Sequence, residues 1–351
     1  MEKMINTQLI KVNPNSEIIN QAGEIIRSGG LVAFPTETVY GLGANGLNGE
    51  ACRKIYEAKG RPSDNPLILH IANFEMISRI AINVPHQAEK LLTAFCPGPL
   101  TLILPKSNAV PMSVTGGLET VGVRMPDNEI ARALIKAANC PIAAPSANLS
   151  GRPSPVTAQA VYNDLNGKIP LILDGGACNF GLESTIVDLT TEVATILRPG
   201  AITKEMLEEV IGEVAIDSAL VDDSKVPKAP GMKYTHYAPK IPMILIANKS
   251  GVESKLKIFR REMIKLISEN KYVGVIASSK VISGISDLTD SNLIVNYGDN
   301  LKQIAANIYE SLRYFDNVQA DFIIMEGTVK TGIGAAIMNR LEKASSKIIY
   351  K

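Results

Sequence analysis

Three stretches of the chain hold the side chains that could do chemistry. The first is A-F-P-T-E-T-V-Y-G-L-G-A (33–44), where an apolar run stops at Pro35 and hands Thr36, Glu37, Thr38 and Tyr40 to a loop before a glycine pair. Loops fixed on rigid elements carry a large share of function, yet Thr and Tyr at a strand corner also cap backbone groups. The second is Y-E-A-K-G-R-P-S-D-N-P-L-I-L-H (56–70), in which Lys59 and Arg61 flank Gly60 at the end of an expected helix. A point-charge ammonium beside a forked guanidinium suits a polyphosphate, although cations at a helix C-terminus also gain ~0.3–1 kcal/mol from the dipole alone. Pro62 and Pro66 stiffen the chain just beyond this pair. The third is P-I-A-A-P-S-A-N-L-S-G-R-P-S-P (141–155), which presents Ser146, Asn148 and Ser154. These suit phosphate or ribose oxygens, and equally suit turns to their own backbone. Arg124, Ser184 and Arg198 are candidate walls of the same cleft.

Several chemistries are disfavoured. Ser146 is not in a G-x-S-x-G elbow, and G-x-x-x-x-G-K-[ST] occurs nowhere. Cys52, Cys96, Cys140 and Cys178 form no C-x-x-C pair, and the three histidines are dispersed. No protein metal site is expected, and the cysteines read as buried, reduced thiols. Lys plus Arg total 36 against 35 for Asp plus Glu, which argues against a dedicated nucleic-acid scaffold. No apolar run approaches the ~20 residues of a membrane span and the N-terminus lacks a signal-peptide core, so a cytoplasmic location is expected. Gly332 and Gly334 lack a full dinucleotide fingerprint and read as a turn.

The elements that position these residues alternate from the start. Helical spacing predicts helices over 17–27, 49–58, 128–138 and 156–164, and apolar runs predict strands at 31–34, 67–71, 100–104, 120–124, 141–144, 171–174 and 184–189. That is an α/β domain with a mixed, twisted sheet. Residues 217–240 have linker chemistry but contain P-G-M-K-Y-T-H-Y-A-P (230–239), a candidate lid. Strands at 242–247, 272–277, 293–297 and 322–326 then alternate with helices at 252–269, 301–315 and 333–345. This predicts a Rossmann-like three-layer domain with a mainly parallel sheet.

Read together, F-P-T-E-T-V-Y-G-L-G, K-G-R-P-x-x-N-P-L-I-x-H, P-G-P-L-T (97–101), A-A-P-S-A-N, E-S-T-I and L-R-P-G resemble the YrdC-like family of L-threonylcarbamoyl-AMP synthases. The linker and tail resemble its long, two-domain form. The resemblance implies a YrdC-like catalytic domain over 8–215, a linker or lid over 216–240 and a C-terminal domain over 241–351. It implies synthesis of L-threonylcarbamoyl-AMP and pyrophosphate from L-threonine, bicarbonate and ATP, for threonylcarbamoyladenosine next to the tRNA anticodon. Thr36, His70, Arg124, Ala144 and Ser184 would hold threonine. Lys59, Arg61, Asn65, Thr120, Ser146, Asn148, Ser154, Arg198 and Tyr234 would hold ATP, with Lys59 and Arg61 acting on the phosphates and Mg2+ arriving on the nucleotide. The implied partners are these substrates and a downstream tRNA-modifying transferase complex, with a weak tRNA contact left open. Two other readings stand beside it: an RNA-binding module without chemistry, and the carbamoyl-transfer step of hydrogenase maturation factors, whose zinc-finger cysteines this chain lacks. Replacing Lys59 or Arg61 by Ala is expected to stop synthesis with little loss of fold.

Overall fold

The computed structural model describes residues 5–218, 237–247 and 251–350. Tyr234, and with it most of the candidate lid, lies outside the described residues. The described chain divides into two units, one of residues 5–150 and 154–218, the other of residues 151–153 and 237–350.

The first unit is built on β1 (Gln8–Lys11), β2 (Val32–Phe34), β3 (Gly41–Asn45), β4 (Ile68–His70), β5 (Leu100–Pro105), β6 (Thr120–Arg124), β7 (Ile142–Ala143), β8 (Leu171–Asp174), β9 (Thr185–Asp188), β10 (Thr195–Arg198) and β11 (Ala215–Ile216). They form one sheet in the order β1-β8-β2-β3-β7-β4-β6-β5-β9-β10-β11. It is mixed: β4–β6 and β5–β9 are parallel, while β2–β3, β3–β7 and β5–β6 are antiparallel. The expected loop before the glycine pair is present over residues 35–40, between β2 and β3. Gly41–Asn45, which the apolar pattern does not predict, is a strand paired with β2, so this loop is a short connection between two adjacent strands. Its G-L-G-A-N sequence has no β-branched residue, and pairing on both edges holds it extended.

The helix Ile18–Arg27 buries Ile19, Ala22, Gly23 and Ile26, the i, i+3, i+4, i+7 stripe of an amphipathic helix. It lies on the helix Glu129–Ala138, whose start is capped by the Asn128 side chain accepting from the Ala131 amide. Together with Val32, Phe34, Leu171 and Leu173 of the sheet they make the main core on this side. Burial of each such large aliphatic side chain contributes about 1.5–3 kcal/mol. Gly23 is where the two helices come closest, since a Cβ there would stand 2.8 Å from the backbone carbon of Ala137.

In the second unit β12 (Met243–Ile246), β13 (Val273–Ala277), β14 (Ile294–Asn296), β15 (Phe322–Glu326) and β16 (Lys347–Ile349) form an all-parallel sheet in the order β14-β13-β15-β12-β16. The helix Val252–Ser268 covers Ile244, Ile246, Val273, Val275 and Ile324. The alternate residues Leu245, Ile323 and Met325 point to the opposite face and are also fully buried. Continuous apolar strands are what a sheet covered on both faces requires. Gly332 caps the last helix, Ile333–Ala344, in a turn with φ +53°, and Gly334 lies in that helix's first turn.

Gly23→Ala sets two effects against each other. Helix propensity would gain roughly 1 kcal/mol, but overpacking against immovable backbone costs about 1–3 kcal/mol. The expected outcome is net destabilisation, read as a lower urea midpoint for the first unit.

Candidate functional site

The functional candidates gather where strand ends and turns of the first unit meet. Gly41 bridges Ser146, the Leu42 amide donates to the Pro145 carbonyl (2.9 Å), and the Ala147 amide donates to the Tyr40 carbonyl (2.8 Å). The first and third stretches are thus zipped together. The second joins them through Lys59. The helix Gly49–Lys59 is capped by Asn48 at its start and ends at Gly60, whose φ of +61° is the left-handed closure that glycine allows. Lys59 is only 2% exposed. Its Nζ donates to the carbonyls of Ser146 (2.5 Å) and Asn148, and its own carbonyl accepts from the Ser150 amide (2.9 Å). Ser146 Oγ donates to Asn148 Oδ1 at 2.5 Å. Lys59, Ser146 and Asn148 are therefore one hydrogen-bonded group. Arg61 holds the next turn, donating to the carbonyls of Asn65 (3.3 Å) and Pro66 (3.2 Å). Thr120 begins β6 and shares a small recess with Pro66 and Leu67, next to Asn65 in the chain.

A second group surrounds Arg124 at the end of β6. Arg124 Nη2 donates to Thr38 Oγ1 at 2.8 Å. Thr38 Oγ1 lies 2.8 Å from Thr36 Oγ1, which gives its own proton to the Val39 carbonyl (2.7 Å). The Thr38 hydroxyl is therefore the donor to Thr36, and the Thr36 hydroxyl is committed to shaping its own turn. Arg124 Nη2 also lies 2.8 Å from Glu37 Oε1, with both side chains nearly inaccessible. The attraction is present, but neither Glu37 oxygen meets hydrogen-bond geometry with any donor, and Arg124 Nε has no acceptor. His70 ends β4, which runs parallel to β6 with His70 paired to Arg124. Its Nδ1 is 3.2 Å from the Ile68 carbonyl, and its ring meets Phe34 edge-on. Burial, reinforced by the Arg124 charge, lowers its pKa to about 3, so the imidazole is neutral. The Ala144 amide donates to the Ile68 carbonyl (2.9 Å), which brings the third stretch alongside. Cys96 is within electrostatic reach of Arg124 and Glu37, and burial pushes its thiol up to about 11. None of the four cysteines is in a disulfide, but Cys96 is partly exposed, which corrects the expectation that all are buried.

A third group centres on Ser184, just before β9. Arg198 donates from Nε (3.0 Å) and Nη2 (2.9 Å) to the Ser184 carbonyl and from Nη2 to its Oγ (3.1 Å), while Ser184 Oγ pairs with Thr101 Oγ1 at 2.7 Å. Ser154 Oγ donates to Glu183 Oε1 at 2.6 Å. Glu37, Thr38, Thr101 and Glu183 thus belong to the site and are absent from the sequence candidates for ligand binding. Three of the four sit inside the motifs T-E-T and E-S-T-I, where an acidic or hydroxyl side chain beside an apolar strand is the available signal. Among the described residues no group of three or more His, Cys, Asp or Glu could hold a metal ion. No helix among them is long and apolar enough to cross a membrane.

Comparison with known proteins gives these groups a context. A family profile described as "Telomere recombination" matches residues 24–200, and one described as "Threonylcarbamoyl-AMP synthase, C-terminal domain" matches residues 202–346. The threonylcarbamoyl-AMP synthase of Pyrococcus abyssi is 49% identical over 95% of this chain and 95% of its own length. That of Bacillus subtilis is 46% identical over 95% of each. The crystal structure of P. abyssi Sua5 complexed with L-threonine superposes with a TM-score of 0.91 at 46% identity, covering 99% of this chain and all of that one.

Two outcomes are expected from this geometry. Replacing Lys59 by Met leaves buried carbonyls without their cation, at a cost of about 1–3 kcal/mol. For Lys59 the buried contacts therefore predict a measurable loss of stability, with thermal unfolding beginning at lower temperature. For His70, the unfolded imidazole titrates near 6.5 and the folded one near 3. Between these values the unfolded chain binds more protons, so stability is lost as pH falls from about 6.5 towards 3. His70→Asn should flatten that part of the melting-temperature profile against pH.

Proposed function

Because this chain belongs to the threonylcarbamoyl-AMP synthase family, enzymes of nucleotidyl-transfer type, we propose that it condenses L-threonine, bicarbonate and ATP. The products are L-threonylcarbamoyl-AMP and pyrophosphate. The mixed anhydride serves a downstream transferase that forms threonylcarbamoyladenosine next to the anticodon of tRNA, in the cytoplasm. The observation that carries this reading is three buried cations, Lys59, Arg124 and Arg198, each fixed on oxygen atoms of one unit.

Arg124 is the cation for the threonine carboxylate, since its guanidinium can take a carboxylate in two-point fashion. Neutral His70 and the hydroxyls of Thr101 and Ser184 supply polar partners for a substrate hydroxyl. Without such partners threonine would not be told from valine. Lys59, Arg61 and Arg198, with Asn65, Thr120, Ser146, Asn148 and Ser154, receive the nucleotide, which arrives as its Mg2+ complex. The threonine carbamate attacks the α-phosphorus. One P–O bond forms to the carbamate oxygen, and the bond to the pyrophosphate oxygen breaks. Charge builds on the phosphoryl oxygens, and cations held in place beforehand need no reorganisation to stabilise it. Water entering the site would hydrolyse the carbamate, so the burial of these groups protects the intermediate.

The test is pyrophosphate release from radiolabelled ATP in the purified protein. Release is expected to require both threonine and bicarbonate. Arg61→Ala should lower it by about 100-fold or more, as for loss of one transition-state donor. Release that ignores threonine would reject the reading.

A further inference from the structure

Among the described residues of the first unit, Glu37 is the charged group with two buried atoms that lack a hydrogen-bond partner. It is 4% exposed, and both carboxylate oxygens are buried without a hydrogen-bond donor. A buried carboxylate in this condition is costly, because desolvation is not offset by aligned donors. Its backbone is not loose: the Glu37 carbonyl accepts from the Phe180 amide at 2.9 Å, and the neighbouring Thr36 turn is closed by its own hydroxyl. The residue is thus fixed at its backbone, with two open acceptors on its side chain. Among the described residues its ion-pair partner is Arg124, at 2.8 Å, whose Nε is also without an acceptor. The other titratable groups at this spot, Cys96 and His70, are neutral. The two opposite charges therefore face each other with hydrogen-bonding capacity left on both.

We propose that Glu37 receives the ammonium of threonine and takes a proton from it, which makes the amine nucleophilic. The proposal rests on the threonine reading above and extends it to a residue outside that assignment. A zwitterion entering between Glu37 and Arg124 exchanges one ion pair for two, carboxylate to Arg124 and ammonium to Glu37, with no change in net charge. Once Arg124 is engaged by the substrate carboxylate, Glu37 keeps only the ammonium as counter-ion. In a site shut off from water, the neutral pair of amine and carboxylic acid is favoured over two buried charges. An N–H bond of the ammonium breaks, the proton goes to a Glu37 oxygen, and the lone pair stays on nitrogen. That lone pair forms the N–C bond to the carbon of bicarbonate-derived CO2. The second nitrogen proton is used in dehydrating bicarbonate. In sum, ammonium, carboxylate and bicarbonate become carbamate, protonated Glu37 and water, with a net charge of −1 on both sides.

The experiment compares two ligands by titration calorimetry. L-threonine carries the amine; (R)-3-hydroxybutanoate keeps the carboxylate and hydroxyl but lacks it. In Glu37→Gln, threonine affinity is expected to fall about tenfold or more, the loss of one charge-assisted bond. Hydroxybutanoate should bind unchanged or tighter, because Arg124 no longer has an internal competitor. Turnover at saturating threonine should fall by about 100-fold, the typical contribution of a general base. Glu37→Asp, which keeps the charge on a shorter arm and guards against misfolding of the Gln variant, should recover part of both losses. Equal weakening of both ligands would make Glu37 only a counter-ion that orients Arg124, and wild-type turnover in Glu37→Gln would exclude the base role. A wild-type protein that binds neither ligand would overturn the threonine reading itself, and with it this one.

Discussion

The site depends on cations that have been taken out of water. A lysine or arginine this far buried is tolerated only where fixed oxygens replace its hydration. Lys59 finds them in the carbonyls of Ser146 and Asn148, Arg198 in Ser184, and Arg124 in Thr38 and Glu37. The demand runs both ways. Backbone carbonyls in the turn after β7 are pinned because Lys59 needs them, so a helix end dictates the path of a turn nearly ninety residues later. Each cation is then aimed before any substrate arrives. That is the condition under which electrostatic stabilisation costs nothing at the moment of reaction.

This constraint also explains which features are legible in the sequence. Most strands of the mixed sheet and the parallel sheet are visible as apolar runs, and seven helices as 3.6-residue stripes, whereas the helices His86–Phe95 and Lys204–Ile211 go unpredicted. β1 and β10 leave no such signal; both mix polar residues into four positions and take their strand character from neighbours on the sheet. β3 gives no strand signal because glycine has no intrinsic strand preference. The reason for those glycines is spatial: a Cβ at Gly43 would stand 2.8 Å from both Phe34 and Ile142 side chains. The candidate site residues are legible as types. Their partners are not, because a hydrogen bond between Lys59 and Asn148 depends on a fold that brings the two together, and no local spacing encodes it.

The difference between a structural and a functional buried acid can be seen within this one chain. Glu326, at the end of β15 in the second unit, is as deeply buried as Glu37. It accepts from the Ser278 amide (2.9 Å), the Ser278 hydroxyl (2.7 Å) and Lys255 Nζ (3.0 Å). Both of its oxygens are engaged, and the result is a locked connection between β13, β15 and the helix Val252–Ser268. Glu37 has comparable burial and a comparable cation, but no aligned donor. Folding alone gains little from that arrangement, since replacing the Glu37–Arg124 pair together by apolar side chains of similar volume would avoid the desolvation cost of both charges. An acid kept dry and under-bonded next to an arginine of the same kind fits the proposed ligand, which carries the complementary pair of charges. An α-amino acid is such a ligand, with its carboxylate and ammonium on one carbon atom.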